Sequence, residues 1–290
     1  MKFNFLRGST LNQKDFILDK QEAYIDDFLY SNSVTLIYSP PKQGKTWLGY
    51  GITMTLIKRD DVQGVIYVDM DNGLSSLKER AIDEKFINHP KIEYVSRAKI
   101  DCSSIEYLRK IVTEATIGNY KGYTFFLETT KDFVDTDSKS QAGATIIIMH
   151  HATKAGRTIS GVQVFINSPD NVYEMTQKAR EENKLHFMLN VTHARTLVKD
   201  IGVTVNTQSL ELTKLDEVYS TMSEYEEEFV RKGKEALKKN PDGLGQTELL
   251  KHIGYEKTDK TARDLLEKFN DKFWNKNQEK KGKPITYTSI

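Results

Sequence analysis

One segment near the amino terminus constrains the fold more than any other part of this sequence. An apolar run at residues 34–38 is followed by a short polar stretch with two prolines and a glycine, and helix-forming residues begin at Lys45. A buried strand that turns tightly into a helix is the first half of a βαβ unit. The segment therefore predicts an α/β fold built on a parallel sheet.

Further strand candidates extend this prediction to about residue 215. They are short, β-branched or apolar runs, and several are continuously apolar, as expected for strands covered on both faces. The candidates are residues 34–38, 64–69, 123–127, 144–149, 171–175, 185–191, 203–206 and 210–212. Their alternation with helical or loop segments predicts a mostly parallel central sheet with crossover connections.

Composition narrows the classes of protein that the chain can represent. The 290 residues include 42 basic and 41 acidic side chains, so no global field draws the whole molecule to nucleic acid or to a membrane. Cys102 is the single cysteine, which excludes an internal disulfide and a multi-cysteine zinc cluster. Apolar runs such as residues 144–149 are too short to span a bilayer, and the first residues lack the apolar core of a signal peptide. We therefore expect a cytoplasmic protein with no membrane partner.

The loop between the first strand and its helix carries the residues that triphosphate binding requires. Gly44 permits close approach of the backbone, Lys45 can reach the outer phosphates, and the Thr46 hydroxyl can coordinate Mg²⁺. Ser39 is a small residue where the common motif has its first glycine. The predicted cofactors are ATP and Mg²⁺. The predicted nucleotide-contacting residues are Ser39, Pro40, Pro41, Lys42, Gln43, Gly44, Lys45, Thr46 and Trp47.

Acidic and histidine side chains follow other candidate strands. Asp69 and Asp71 end one strand, and Glu128 ends the strand TFFLE. ATP hydrolysis requires a carboxylate that polarises water and an acid in the magnesium shell. His150 and His151 follow the apolar run 144–149, at the strand end where open α/β sheets bind ligands. A single acid at a strand end can instead cap a helix or organise a loop, and for Asp69 both interpretations stay open.

The order of these motifs resembles a known family. The segments SPPKQGKTWL, VIYVDMDNG, KDFVD and HHATK occur in the same order as in the RecA-like hexameric ATPases of the plasmid RepA type. These ATPases belong to the same broad class as the replicative DnaB-type helicases. The resemblance covers residues 26–212. It implies a RecA-like P-loop fold, ATP hydrolysis, assembly of identical subunits into a ring, as a hexamer, and action on DNA.

The resemblance also implies roles for individual residues. Asp71 lies where the family has its catalytic glutamate, and Glu128 lies where it has the metal-binding Walker B aspartate. One acid is shorter and the other longer than in the family, so either the two changes compensate or ATP binding survives with slow turnover. His150 corresponds to the γ-phosphate sensor. Arg195 corresponds to an arginine finger that reaches the nucleotide of a neighbouring subunit.

Two connecting segments bear on this comparison. The loop 152–161 is basic and contains glycines, and we predict that Lys154 and Arg157 contact DNA phosphates. The segment 129–143 is polar and close to the minimum length of a parallel crossover, whereas the family has a full helix here. Either a bare loop makes this crossing or the local strand order differs.

The pattern changes after residue 215. Residues 216–228 are acidic and polar and are predicted to be a linker or a helix start between a domain of residues 1–215 and one of residues 229–290. The second domain reads as three helices followed by a basic ribbon, which resembles a small winged helix-turn-helix domain. Such domains bind DNA or proteins; we predict DNA binding, although Glu267 on the presumed reading face counts against it. The predicted DNA contacts here are Lys260, Arg263, Lys280, Lys281 and Lys283.

These features predict an ATP-binding and ATP-hydrolysing DNA helicase or translocase of plasmid, phage or mobile-element replication. One alternative is a nucleotide-gated DNA-binding regulator with weak or no hydrolysis. Another is a recombinase-like ATPase that forms filaments.

Overall fold

The computed structural model describes residues 21–103, 106–107, 110, 120–128, 143–152, 169–215, 219, 222–278 and 284–290. Several segments discussed above lie outside these residues: the shortened crossover at 129–142, the basic loop at 153–168 with Lys154 and Arg157, and the ribbon tip with Lys280, Lys281 and Lys283. Within the described ranges, no helix combines the length and the apolar character needed to cross a membrane.

Nine of the strands in the described part of the chain belong to one sheet. The hairpin of β1 (Ala23–Ile25) and β2 (Leu29–Tyr30) precedes it. Its strands are β3 (Val34–Ser39), β4 (Gly64–Asp69), β5 (Ile92–Ser96), β6 (Tyr123–Glu128), β7 (Thr145–His151), β8 (Asn171–Glu181), β9 (Lys184–Ala194), β10 (Ile201–Asn206) and β11 (Leu212–Lys214). The spatial order of these nine strands is β11-β10-β9-β8-β3-β7-β6-β4-β5. The mixed α/β class and the mostly parallel sheet are thereby confirmed.

The strands from β5 across to β8 run parallel, and those beyond β8 do not. Parallel pairing joins β5 to β4, β4 to β6, β6 to β7, β7 to β3 and β3 to β8. Strand β10 pairs antiparallel with both β9 and β11. The prediction of parallel strands as far as residue 215 is therefore wrong for this last part. The connections at residues 182–183, 195–200 and 207–211 are too short for parallel crossovers.

The chain forms two compact units that are discontinuous in sequence. The first contains residues 1–41, 55–174 and 191–200, and the second contains residues 42–54, 175–190 and 201–290. The boundaries predicted at residues 215 and 228 stay a prediction.

The first unit has an aliphatic core on its parallel strands. The buried side chains of β3, β6 and β7 meet there, including Leu36, Leu127, Ile146 and Ile148. Two short helices of this unit lie between β4 and β5 in the sequence, at Leu74–Glu79 and Ile82–Lys85. A 3-10 turn at Arg97–Lys99 follows β5. The strands of this unit carry polar residues at their carboxyl ends, among them Asp69, Ser96 and Glu128.

Helix α1 (Lys45–Leu56) follows β3, and its residues up to Met54 belong to the second unit. We number the two short helices of the first unit α2 (Leu74–Glu79) and α3 (Ile82–Lys85). The carboxyl-terminal part of the second unit contains α4 (Glu224–Lys239), β12 (Leu244–Gly245), α5 (Gln246–Ile253), α6 (Lys260–Lys268), β13 (Trp274–Asn277) and β14 (Thr286–Ser289). The last three strands form an antiparallel sheet in the order β12-β14-β13.

Local sequence signals fix the ends of these helices. Ser223 and Glu226 form a reciprocal capping box at the start of α4. Gly254 ends α5 in the left-handed conformation with φ of 100°. The Asp259 carboxylate accepts a hydrogen bond from the Ala262 amide at 2.9 Å and caps α6.

Trp274 is the centre of the carboxyl-terminal core. It is fully buried, and its indole N–H donates to the Leu266 carbonyl at 2.9 Å. A Cβ atom at Gly233 would lie 2.8 Å from the indole ring, so α4 needs glycine at the point where it meets the tryptophan. The same core also buries Ala262, Leu265, Leu266 and Phe269.

Candidate functional site

The loop between β3 and α1 has the backbone of a tight turn. Ser39 is buried at the end of β3, and Lys45 is buried at the start of α1. Lys42 and Gly44 have φ of 67° and 77°. Left-handed residues turn successive amide groups toward one side of a loop, which is the geometry of an anion nest. The first turn of α1 contains no acidic side chain, so nothing in that turn opposes binding of an anion.

Two contacts within the second unit support the loop from behind. A Cβ atom at Gly44 would lie 3.1 Å from the Phe187 ring, in a backbone conformation that side chains rarely adopt. The Gln43 side-chain oxygen accepts a hydrogen bond from the Gln177 amide of β8 at 3.0 Å. Gly44 is therefore required both for its conformation and for its lack of a side chain.

The register of the parallel strands aligns polar residues along one edge of the first unit. Asp69 of β4 is directly opposite Glu128 of β6 and also opposite Ser96 of β5. Ser39 of β3, where the loop begins, is directly opposite His151 of β7. The carboxyl ends of these strands thus present a row of polar side chains, as expected from the sequence.

The connections of β3 and β7 make this edge a natural ligand site. From β3 the chain continues to β4, which lies beyond β7 and β6, whereas from β7 it continues to β8 on the far side of β3. Neighbouring strands whose connections lead in opposite directions define a topological switch point. Open α/β sheets bind ligands in the crevice at the carboxyl ends of such strands.

Asp69 organises the turn that follows β4. Its carboxylate accepts hydrogen bonds from the amides of Asp71 and Asn72, from the Asn72 side chain, and from the Tyr94 hydroxyl at 2.6 Å. The side chain is fully buried. Of the two interpretations that the sequence leaves open for Asp69, these bonds support the structural one.

Asp71 occupies a different environment from Asp69. Its side chain is 46% exposed, and its carboxylate lies 3.7 Å from His151 Nε2. His150, the histidine singled out from the sequence, is buried at the end of β7. The structure therefore brings Asp71 beside the second histidine of the pair rather than the first.

Glu128, like Asp69, is a buried acid of the row. It is 3% exposed, and its Oε2 accepts a hydrogen bond from the Tyr67 hydroxyl at 2.9 Å. A glutamate carboxylate supplies hard oxygen ligands. Magnesium in phosphoryl-transfer sites takes one or two such carboxylates together with substrate phosphates and water. The chemistry of Glu128 therefore fits the predicted role in holding Mg²⁺.

Arg195 lies at the opposite edge of the first unit. Its amide donates to the Asp170 carbonyl at 2.7 Å, and the Asp170 carboxylate accepts from the Val34 amide at the start of β3. These contacts place the exposed Arg195 at the amino ends of the parallel strands, because β9 returns against the direction of β8. Arg195 is thus not part of the acid row of its own chain, and a role toward a neighbouring subunit stays a prediction.

The basic residues of the carboxyl-terminal part differ in how they are engaged. Lys260 and Arg263 are exposed on α6. Lys268 pairs with Glu226 at 2.6 Å, and Lys276 pairs with Glu267 at 2.7 Å. The Glu267 carboxylate is thus bound by a lysine of the ribbon, which reduces its repulsion of a polyanion.

In the first turn of α1, which follows the loop, Trp47 makes an edge-to-face contact with Tyr50.

Sequence reasoning missed the hydroxyl and amide partners of these residues. Tyr67 and Tyr94 bond the acids of the row, Asn72 bonds Asp69, and Gln177 bonds the loop. One signal was present for Tyr67, which stands two residues before Asp69 and so shares a strand face with it. The partner strand of each tyrosine was not readable from sequence, because it depends on the order of β5, β4 and β6.

Comparison with models of known protein families gives no match, and comparison with curated protein sequences gives none either.

Proposed function

We propose that this protein is a P-loop ATPase. The observation that carries the proposal is the carboxyl end of β3, where Ser39 opens a glycine-containing loop directly opposite His151, in the same row of strand ends as Asp69 and Glu128. The loop ends in a lysine and a threonine at the start of a helix, as triphosphate binding requires.

Each residue has a role that its environment supports. The amides of the loop and Lys45 would bind the phosphates, and the Thr46 hydroxyl and the Glu128 carboxylate are each a candidate ligand of Mg²⁺. The metal supplies charge stabilisation to the phosphoryl group in transfer. Asp71, exposed and beside His151, orients the attacking water. Asp69 fixes the turn that presents Asp71.

The closest competing function is a nucleotide-gated regulator that scarcely hydrolyses ATP. It is favoured by Asp71, whose short side chain is turned toward His151 at 3.7 Å. A general base must reach the water that it activates, and an aspartate reaches less far than a glutamate. Tight ATP binding with negligible turnover would establish this alternative, and sustained unwinding of a forked duplex would exclude it.

We further propose DNA as the partner and a ring of identical subunits as the working assembly. The order of α4, β12, α5, α6 and the ribbon β13–β14 supports a winged helix, in which α6 would be the reading helix. Exposed Lys260 and Arg263 on α6 supply phosphate contacts. The exposed position of Arg195 is compatible with contact to a second subunit.

The ATPase proposal is tested by steady-state ATP hydrolysis with and without single-stranded DNA. We expect Lys45→Ala to abolish hydrolysis, because the variant loses the cation that meets the outer phosphates. Lys58→Ala is the matched control, since Lys58 is exposed just beyond the same helix. Equal rates for wild type and Lys45→Ala would contradict the proposal.

The partner and assembly proposals need separate measurements. Replacing Lys260 and Arg263 together with glutamate should weaken DNA binding and reduce its dependence on salt. Native mass spectrometry with and without ATP distinguishes a monomer from a closed ring, and electron microscopy with ATP and DNA distinguishes a ring from a filament. A monomer under all conditions would exclude a role of Arg195 in a neighbouring site.

A further inference from the structure

Glu128 stands above a ladder of aromatic side chains on one face of the sheet. Tyr94 of β5, Tyr67 of β4 and Phe126 of β6 are directly opposite one another in register. Their ring planes are nearly parallel and stacked. The centroids are 5.1 Å apart for Tyr94 and Tyr67 and 4.6 Å apart for Tyr67 and Phe126. Phe86 packs edge-on against both tyrosines. The ladder is therefore a rigid platform beneath the acid row.

The hydroxyl groups of the ladder are displaced by one strand from the acids that they bond. Tyr94 on β5 donates to Asp69 on β4, and Tyr67 on β4 donates to Glu128 on β6. The next ring, Phe126 on β6, has no hydroxyl. On the neighbouring strand β7, the residue opposite Glu128 is Met149, which has no carboxylate to accept a hydrogen bond. Tyrosine thus occurs where the adjacent strand ends in an acid, and phenylalanine occurs where it does not.

We propose that Tyr67 is a positioning residue that sets the orientation of the Glu128 carboxylate toward Mg²⁺. This inference rests on the proposed ATPase function. Glu128 has one more methylene than the aspartate that the resembling family has here, and so one more rotatable bond. Tyr67 is fully buried in the stack, and its hydroxyl holds one carboxylate oxygen at 2.9 Å. The hydrogen bond restricts the additional torsion of the longer side chain.

Tyr94 provides a matched control in the same stack. Its hydroxyl also bonds a buried carboxylate, but Asp69 keeps three further donors from Asp71 and Asn72 when that bond is removed. Tyr67→Phe and Tyr94→Phe each delete one hydroxyl and preserve the ring. They should therefore lower thermal stability to a similar extent and differ in their effect on Mg²⁺.

The experiment measures binding of the nonhydrolysable analogue AMP-PNP by calorimetry as a function of Mg²⁺ concentration. We expect Tyr67→Phe to raise the Mg²⁺ concentration for half-maximal binding by roughly tenfold, the effect of losing a hydrogen bond to a charged group. Tyr94→Phe should stay within about twofold of wild type, since Asp69 keeps its other donors. Equal shifts in both variants, or no shift in Tyr67→Phe, would overturn the assignment.

Two further variants separate positioning from a general effect of the stack. In a Glu128→Gln background, Tyr67→Phe should produce no additional shift, because its effect passes through the carboxylate. Glu128→Asp leaves the stack intact but withdraws the carboxylate from Tyr67, and it should weaken the response to Mg²⁺ although it restores the acid of the family. A response equal to or better than wild type in Glu128→Asp would contradict the proposal. Failure of the wild type to bind AMP-PNP would instead refute the proposed function.

Discussion

Buried Glu128 in the first unit and half-buried Glu181 in the second unit differ in the partners that bind their carboxylates. Glu128 in the first unit accepts its hydrogen bond from the neutral phenol of Tyr67. Glu181 in the second unit accepts one from Tyr219 and pairs with Lys234 at 2.8 Å, with His186 Nε2 at 3.8 Å. The His186 side chain, and then Lys234 and Tyr219, hold the pKa of Glu181 well below its usual range against the opposing effect of burial. The contacts of Glu181 thus include two basic side chains, Lys234 and His186, whereas the Tyr67 hydroxyl that bonds Glu128 is uncharged.

The surroundings of Glu181 confirm its structural character. His186 stacks on the Tyr219 ring with centroids 4.5 Å apart, and its Nδ1 lies 2.8 Å from the Thr204 hydroxyl. Lys234 belongs to α4 and Glu181 to the end of β8. The cluster therefore fastens α4 to the strands of its own unit. Removing Glu128 should affect chemistry, and removing Glu181 should affect stability.

The largest expected effect is on catalysis in Glu128→Gln. The amide oxygen of glutamine still accepts a hydrogen bond from Tyr67, so the fold is retained while the negative charge is lost. Hydrolysis should fall by about a hundredfold or more, as when a preorganised electrostatic group is removed. Steady-state rates at saturating ATP and Mg²⁺ measure this, with Glu181→Gln as the control that keeps the wild-type rate. A loss of similar size in the control would erase the distinction between the two glutamates.

Next in size is the loss of stability in Glu181→Gln. Lys234 and His186 lose their anionic partner, and a partly buried cation without its counter-charge destabilises the fold. We expect a decrease of about 1–3 kcal/mol in the free energy of unfolding, reduced because the site is partly exposed to solvent. Urea denaturation followed by tryptophan fluorescence measures it. An unchanged midpoint would show that the cluster contributes nothing to the fold.

The pH dependence of the same variant sharpens the comparison. A lowered pKa means that the contribution of Glu181 is fully present above its unfolded-state value of 4.5 and is lost as pH falls through the lower folded-state pKa. The difference in stability between wild type and Glu181→Gln should therefore be constant between about pH 5 and 7 and shrink in stronger acid. A difference that shrinks toward neutral pH would reverse the sign of the assigned shift.

The smallest effect is expected for an exposed ion pair between the turn that joins β8 to β9 and helix α4. Glu182 and Lys238 approach to 2.6 Å, but their side chains are 75% and 74% exposed. Solvent and salt screen such pairs. Lys238→Ala should leave the urea midpoint within experimental error, in contrast to Glu181→Gln, although Glu181 and the Glu182 partner of Lys238 are adjacent in sequence. A shift as large as that of Glu181→Gln would mean that exposure does not separate the two pairs.

The helices of the carboxyl-terminal part were predictable because their signals are local. Helix α5 ends at Gly254, and α6 begins directly after Asp259. Apolar spacing, an aspartate cap and Gly254 lie within a few residues of the ends that they define. The strand candidates were located for the same reason.

Features that depend on pairing were not predictable in this way. A run such as residues 185–191 is compatible with either strand direction, and only the short connection at 182–183 indicates an antiparallel return. The direction of β9 in turn decides which edge carries Arg195. The acids at strand ends were found, but the bond from Tyr67 to Glu128 requires β4 and β6 to be neighbours, which no local pattern states.

Strand β8 joins two parts of the second unit through consecutive residues. The Gln177 amide donates to the Gln43 side chain in the loop before α1, and the Lys178 side chain pairs with Glu227 of α4 at 3.3 Å. Neighbouring residues of a strand are separated by about 3.3 Å along its axis, and a strand is stiff over that distance. One peptide plane therefore connects the Gln177 amide, which contacts the loop, with Lys178, whose side chain contacts α4. A displacement of the backbone at Gln177 changes the direction in which the Lys178 side chain points.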